Sequence, residues 1–214
     1  WSLVSTLGPG TAPATERLHS RAVVLLERYG VVSREAAKAE DLPGGFPTIY
    51  PLLRSMEEVG RIRRGWFVEG LGGAQFALAG AVDALRADDK GPRAMLLSAM
   101  DPASPFGALL PWPDNPGAVS PRRASGCSVL VHQGEALLWL SRNGRSVISF
   151  PGSEEPGRLR ETLEALKQGH SRFFDRSILV EQLDGGPPGS SPLAPVFVSA
   201  GFQEEGDCLR LALL

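Results

Sequence analysis

Residues 44–78 read GGFPTIYPLLRSMEEVGRIRRGWFVEGLGGAQFAL. Phe46, Ile49, Leu53 and Met56 recur at helical spacing, so this segment starts as a helix with one apolar face. Gly60 stops it, because glycine takes the left-handed conformation that ends helices. Arg61 to Val68 then alternates imperfectly, as a half-buried strand does. Gly70, Gly72 and Gly73 supply a turn, and Ala74 to Leu78 returns as a second strand. A helix followed by a basic hairpin is the contact face of a winged-helix module and points toward nucleic acid.

The elements upstream complete that plan. Thr15 is placed to cap a helix whose apolar positions are Leu18, Ala22, Leu25, Leu26 and Tyr29, with Gly30 as its end. Ser33 is placed to cap a second short helix over Arg34 to Glu40. Pro51 removes an amide donor and disfavours helical geometry at Tyr50, so the third helix is expected to become regular only near Tyr50. A closing helix is expected from Gly80 to Ala87.

Beyond a charged linker at Asp88 to Arg93, the pattern changes to strands. Ala94–Met100, Cys127–Val131, Ala136–Leu140 and Ser146–Phe150 read as strands, the last three as a meander with a strong turn at Asn143 and Gly144. The prolines between residues 102 and 121 exclude regular structure there. Pro156–Gly169 reads as an amphipathic helix, Ile178–Leu183 as one strand, Ser191–Ala200 as a short helix and Cys208–Leu213 as a final strand. The fold class is α+β: a winged helix over residues 14–90, preceded by a Gly/Pro linker over 1–13 and followed by a sheet-dominated unit over 91–214.

Composition narrows the function classes. With 214 residues, 43% hydrophobic and 21% charged, the chain has enough apolar material for a core. No apolar run approaches the roughly 20 residues needed to cross a bilayer, and no signal peptide is visible. The chain opens on Trp1 and is expected to be a piece of a longer polypeptide. The net charge of −2 means that any nucleic-acid surface is a local patch. Cys127 and Cys208 read as free thiols, and His19, His132 and His170 are too scattered for a zinc site, so no metal site is expected.

The candidate DNA contacts are Arg34, Thr48, Tyr50, Arg54, Arg61, Arg63, Arg64, Trp66 and Gln75. Arginine binds phosphate oxygens bidentately, and a strand sends Arg61 and Arg63 to one face. Trp66 either stacks on an unpaired base or packs on the helices beneath the wing. Thr48, Tyr50 and Arg54 sit near the start of the helix that would meet DNA, although Tyr50 equally fits a core position. Asp101 and Asp184 lie in loops at strand ends, where catalytic carboxylates often sit, and are the two weak catalytic candidates; turn chemistry by itself accounts for both.

Several segments together resemble the C-terminal region of the bacterial large helicase-related family, Lhr. They are RYGVVSREA at 28–36, GGF at 44–46, YPL at 50–52, RRGWFVEGLG at 63–72, AQFA at 74–77, DP at 101–102, PFG at 105–107, WP at 112–113, SPLA at 191–194 and AGF at 200–202. The resemblance implies an ATP-driven 3′-to-5′ DNA helicase acting in DNA repair, whose motor (with its ATP and Mg) lies elsewhere. No phosphate-binding Gly-x-x-x-x-Gly-Lys-Ser/Thr loop occurs in this chain, so no cofactor is expected on it. The family further implies a β-barrel-like terminal module similar to that of AlkZ-type DNA glycosylases, and Gln182 and Asp184 echo a Gln-x-Asp pattern of those enzymes. The implied partners are single-stranded or forked DNA, the helicase core and preceding winged helices, and a possible second copy of the chain. The implied location is the bacterial cytoplasm, at the nucleoid. Three functions follow: a DNA-binding accessory segment, a glycosylase module for a damaged or deaminated base, or an assembly module.

Overall fold

The computed structural model describes residues 12–87, 91–102, 104–117, 119–169 and 177–212. The chain divides into two units, Trp1–Asp89 and Lys90–Leu214. The linker expected at 1–13 lies outside the described residues except for Ala12 and Pro13, and so does His170.

In the first unit, helix α1 spans Ala14–Tyr29 and ends at Gly30, whose φ of 68° lies in the left-handed region. Thr15 does not cap it; the N-cap is Pro13, which offers no side-chain acceptor. The two-residue strand β1, Val31–Val32, follows. Ser33 caps α2, Arg34–Ala39, by accepting a hydrogen bond from the Ala36 amide. Glu40 ties α2 back to α1: it accepts from the Tyr29 hydroxyl at 2.6 Å and from the Arg28 guanidinium at 2.6 Å. The tyrosine hydroxyl first, and the guanidinium next, hold the Glu40 carboxyl below its ordinary range.

Helix α3 spans Phe46–Glu58 without a break, contrary to the irregular start expected from Pro51. Proline at this position forfeits a single intrahelical bond, and its ring faces solvent. Phe46, Ile49, Leu53 and Met56, all buried on one side of α3, supply the compensation. At its other end the Gly60 amide donates to the Glu57 carbonyl and the Arg61 amide to the Met56 carbonyl, a Schellman cap with Gly60 at φ 75°.

Strand β2, Ile62–Gly65, and strand β3, Gln75–Leu78, form the wing, with Ile62 opposite Leu78 and Gly65 opposite Gln75. β1 adds to the far side of β3, giving the order β1-β3-β2. Helix α4, Ala79–Arg86, follows directly. Leu26, Ile49, Leu53, Ile62 and Phe76 are at most 2% exposed and form the centre of one core cluster. Each buried side chain of this size contributes about 1.5–3 kcal/mol of transfer free energy.

In the second unit, strands β4 (Ala94–Ser98), β5 (Ser128–His132), β6 (Glu135–Leu140) and β7 (Ser146–Ser149) form an antiparallel run. Two tight turns join β5 to β6 and β6 to β7. Their central residues, Gln133 with Gly134 and Asn143 with Gly144, all have positive φ, the geometry that matches strand twist. Helix α5 spans Pro156–Gly169.

The stretch read as one strand at 178–183 is two. Strand β8, Ser177–Val180, belongs to a separate antiparallel sheet of order β10-β11-β8, with β10 at Gln203–Glu205 and β11 at Cys208–Ala212. Strand β9, Gln182–Leu183, pairs in parallel with β7. The break falls at Glu181, where the Glu181 and Gln182 amides both donate to the Arg145 carbonyl. Helix α6, Ala194–Ser199, precedes β10. The expected barrel is corrected by this topology: among the described residues the strands make open sheets of five and three, and none closes on itself.

The five-stranded sheet is buried on both faces. Leu130, Leu138, Leu140 and Val147 point into a cluster with Leu159, Leu163 and Leu166 of α5, Phe197 of α6, and Leu209 and Leu211 of β11. The alternate residues Val129, Val131, Trp139 and Ile148 point the other way, against Phe106, Phe150 and Trp112. The loop between β4 and β5 covers that second face. The Arg123 guanidinium pins it by donating to the Ser104 and Phe106 carbonyls, and the Trp112 ring stacks between Phe106 and Phe150.

Candidate nucleic-acid interface

Ile62 is buried against the helices, so alternation along β2 turns Arg63 outward and Arg64 back toward α3. Arg64 accordingly lies 3.5 Å from Glu57 of α3. Arg61 and Arg63 are exposed, and neither forms an ion pair with a described residue. Trp66 follows at the start of the wing loop and is 79% exposed. Its indole lies against Gly73, where an added Cβ would approach within 2.9 Å of the ring. Of the two sequence readings of Trp66, packing on the helical core is therefore ruled out. Arg34, exposed at the start of α2, lines a small cleft with Gly72, Gly73 and Ala74 of the same wing loop.

Gln75 does not belong to this surface. It is 0% exposed, and its side chain bridges the wing loop from inside. Its Oε1 accepts from the Phe67 and Val68 amides, both at 2.9 Å, and its Nε2 donates to the Val68 carbonyl at 2.9 Å and the Leu71 carbonyl at 3.4 Å. A buried amide that satisfies two donors and two acceptors of the loop is a structural clamp and has nothing left for DNA.

The recognition-helix residues divide similarly. Tyr50 is half-buried and packs edge-on to Phe76, with Phe46 on its other side, so most of its ring belongs to the core. Thr48 is exposed, but its hydroxyl donates to the Gly45 carbonyl at 2.7 Å and helps start α3. Arg54 is exposed and sits 3.4 Å from Glu58 one turn along, a pair that contributes little and opens readily. The resulting surface is Arg34, Arg61, Arg63 and Trp66, with Arg54 and Arg64 engaged by carboxylates on α3.

The two weak catalytic candidates lie apart in the second unit. The Asp101 backbone carbonyl accepts from Arg123 and from the Ser104 amide, so this residue helps fold the loop after β4. Asp184, at φ 55°, follows β9 and places its Oδ1 2.7 Å from the Ser149 amide and its Oδ2 2.7 Å from the Ser149 hydroxyl. It lines a cleft of about 690 Å³ with Asp114, Ser153, Glu154 and Ser191; Asp101 does not. Of the histidines, His132 is 2% exposed and paired with Glu161 at 2.9 Å, so it is a structural residue. Among the described residues no three His, Cys, Asp or Glu side chains converge as metal ligands, and both cysteines are free.

Residues 11–96 match a family model described as the winged-helix domain of large helicase-related protein. Over 192 residues the chain is 41% identical to a Mycolicibacterium smegmatis protein named Lhr helicase/probable uracil glycosylase, a match covering 86% of this chain and 12% of that protein. Over 196 residues it is 40% identical to the Escherichia coli Lhr helicase/uracil glycosylase, covering 88% of this chain and again 12% of the relative. The chain thus spans only a small part of the length of these relatives. Among the described residues no helix is long and apolar enough to cross a membrane. The winged helix read over residues 14–90, the family model that matches residues 11–96 and two relatives matched along most of the chain agree: this chain belongs to the large helicase-related family.

Proposed function

We propose that this chain is a DNA-contacting accessory segment of a larger helicase-type polypeptide, gripping a single or forked strand through its wing. The observation that carries the reading is Trp66: a large indole, 79% exposed, on a loop beside two outward arginines. Exposed aromatics next to cations are how proteins stack bases while holding the backbone. The net charge of −2 fits a patch of this size better than a whole basic face.

The test is fluorescence anisotropy of the chain on labelled single-stranded and forked DNA across a range of salt. Trp66→Ala is expected to weaken binding by about 1–3 kcal/mol, roughly 5- to 150-fold. Arg61→Ala with Arg63→Ala is expected to reduce the salt slope on a single strand by about 1.4, since each phosphate contact contributes about 0.7. Unchanged affinity and slope in both variants would remove the wing from the binding surface.

A second reading is base excision in the second unit. The names of both relatives include uracil glycosylase, and Asp184 is the one of the two sequence candidates that lies in a cleft. Release of uracil from a uracil-containing strand, compared between the chain and Asp184→Asn, tests it; full activity in the variant eliminates Asp184.

A further inference from the structure

Helix α1 and the turn between α2 and α3 border a groove of about 420 Å³ in the first unit. Val24 and Leu25 stand in its α1 wall, and Leu42 and Pro43 in the other. Val24 is 48% exposed there. The groove is held in shape by Glu40, a lining residue that the Tyr29 hydroxyl and the Arg28 guanidinium both engage. It shares no residue with the wing surface of Arg34, Arg61, Arg63 and Trp66.

Two charges line the groove without a partner. Arg21 lies on α1 one turn before Val24, and Asp41 lies on the opposite wall. Both are exposed, and neither side chain hydrogen-bonds or ion-pairs with a described residue. Asp41 is the more informative. Its amide donates to the Lys38 carbonyl and the Leu42 amide donates to the Ala37 carbonyl, so Asp41 holds the left-handed position of a Schellman cap on α2, at φ 46°. Gly60 holds the same position on α3. Glycine takes this conformation without strain, whereas a residue with a Cβ does not. The Asp41 carboxylate also follows Glu40 directly, at the end of α2 where unpaired carbonyls concentrate negative potential. Asp41 therefore costs the fold backbone strain and like-charge repulsion, and no described residue offsets either. A basic group arriving from outside the fold offsets the second.

We propose that this groove seats an amphipathic helix of the same larger polypeptide, lying outside this chain. Apolar side chains on one face of that helix enter beside Val24 and Leu42, a lysine or arginine meets Asp41, and a carboxylate meets Arg21. The inference rests on the reading of this chain as a segment of a larger polypeptide, and the relatives are matched over only 12% of their length. Size favours a tethered partner over a separate protein. Eight residues line the groove, against roughly 20–30 a side in a stable bimolecular interface, and tethering supplies the effective concentration that a small contact needs.

The experiment measures how fast a maleimide labels Val24→Cys in purified protein, read by peptide mass so that Cys127 and Cys208 do not contribute. In the isolated chain position 24 is open and labels fast. In the full-length polypeptide labelling is expected to slow at least about tenfold, because reaction must wait for the docked helix to open. Asp41→Gly separates docking from folding. It relieves the backbone strain, so the denaturation midpoint of the isolated chain should rise, while position 24 in the full-length polypeptide should regain most of the fast labelling. Arg21→Ala should also speed labelling there. Equal rates in the isolated chain and the full-length polypeptide overturn the proposal, and so does protection that survives both Asp41→Gly and Arg21→Ala. Protection of the isolated chain that grows with its own concentration overturns it too, by assigning the groove to a second copy. Trp66→Ala should leave every labelling rate unchanged, so loss of DNA affinity at the wing is distinguishable from failure of the groove.

Discussion

Gln75→Leu is the most direct test of how the wing is held. The substitution keeps the volume of the side chain and removes all its polar atoms at a position with no solvent access. Three of its hydrogen bonds, to the Phe67 amide, the Val68 amide and the Val68 carbonyl, are 2.9 Å long, and the fourth, to Leu71, is 3.4 Å. At a net value of about 1 kcal/mol for each of the three short bonds, the loss is about 3 kcal/mol. Added hydrophobicity recovers little, because the backbone groups that Gln75 served remain in place and lose their partner. The loop can relieve part of the cost by opening to water, so the effect is to be read at two levels. Urea denaturation followed by Trp fluorescence and far-UV circular dichroism reports the global loss. Hydrogen exchange at the Phe67 and Val68 amides reports local opening, and protection there should fall by about two orders of magnitude if 3 kcal/mol is released locally. A Gln75→Leu chain with unchanged denaturation and unchanged exchange at both amides would refute the clamp. Gln75→Glu separates the two halves of the argument: it keeps an acceptor for the amides but loses both donors and buries a charge, so it should be at least as destabilising as the leucine.

Other expectations are simpler. Gly60→Ala places a Cβ on a residue at φ 75° with open space around it, so the cost is backbone strain, about 1 kcal/mol, read as a lower midpoint in chemical denaturation. Phe197→Ala empties a site that is 1% exposed and packed edge-on to Phe202 at 5.1 Å; a loss of about 3–5 kcal/mol is expected, and a loss under 1 kcal/mol would mean that α6 is not part of the core. Tyr29→Phe removes the first cause of the depressed Glu40 carboxyl. A depressed folded-state pKa contributes stability above the unfolded value of about 4.3 and loses it as pH falls through the folded value. The variant should therefore be less stable than the parent near pH 6, with the gap closing in acid; a gap that is constant with pH would assign the effect to packing.

The first unit was legible because its signals are local. Apolar spacing on α1 and α3, the Ser33 cap and the Gly60 stop each act within a turn or two of helix, where chain geometry dictates which side chains share a face. The exposed arginines of β2 were legible for the same reason, since alternation with the buried Ile62 is a property of the strand itself. The turns at Gln133–Gly134 and Asn143–Gly144 also followed from residue type.

What tertiary structure decided depends on contacts far apart in sequence. Pro51 fits inside α3 because core packing outweighs one lost hydrogen bond, and that balance is invisible in a propensity. Gln75 is a polar residue in a short strand, and nothing in its neighbours distinguishes a surface amide from a buried clamp; the wing folding over it does. Asp184 meets Ser149 across 35 residues because β9 pairs in parallel with β7, which also splits residues 177–183 between two sheets and leaves the larger sheet open where a barrel was expected. Local chemistry thus determined which helices and turns form and which wing residues face outward. Strand order and register, set by long-range pairing, decided where the cleft lies and which carboxylate stands in its wall.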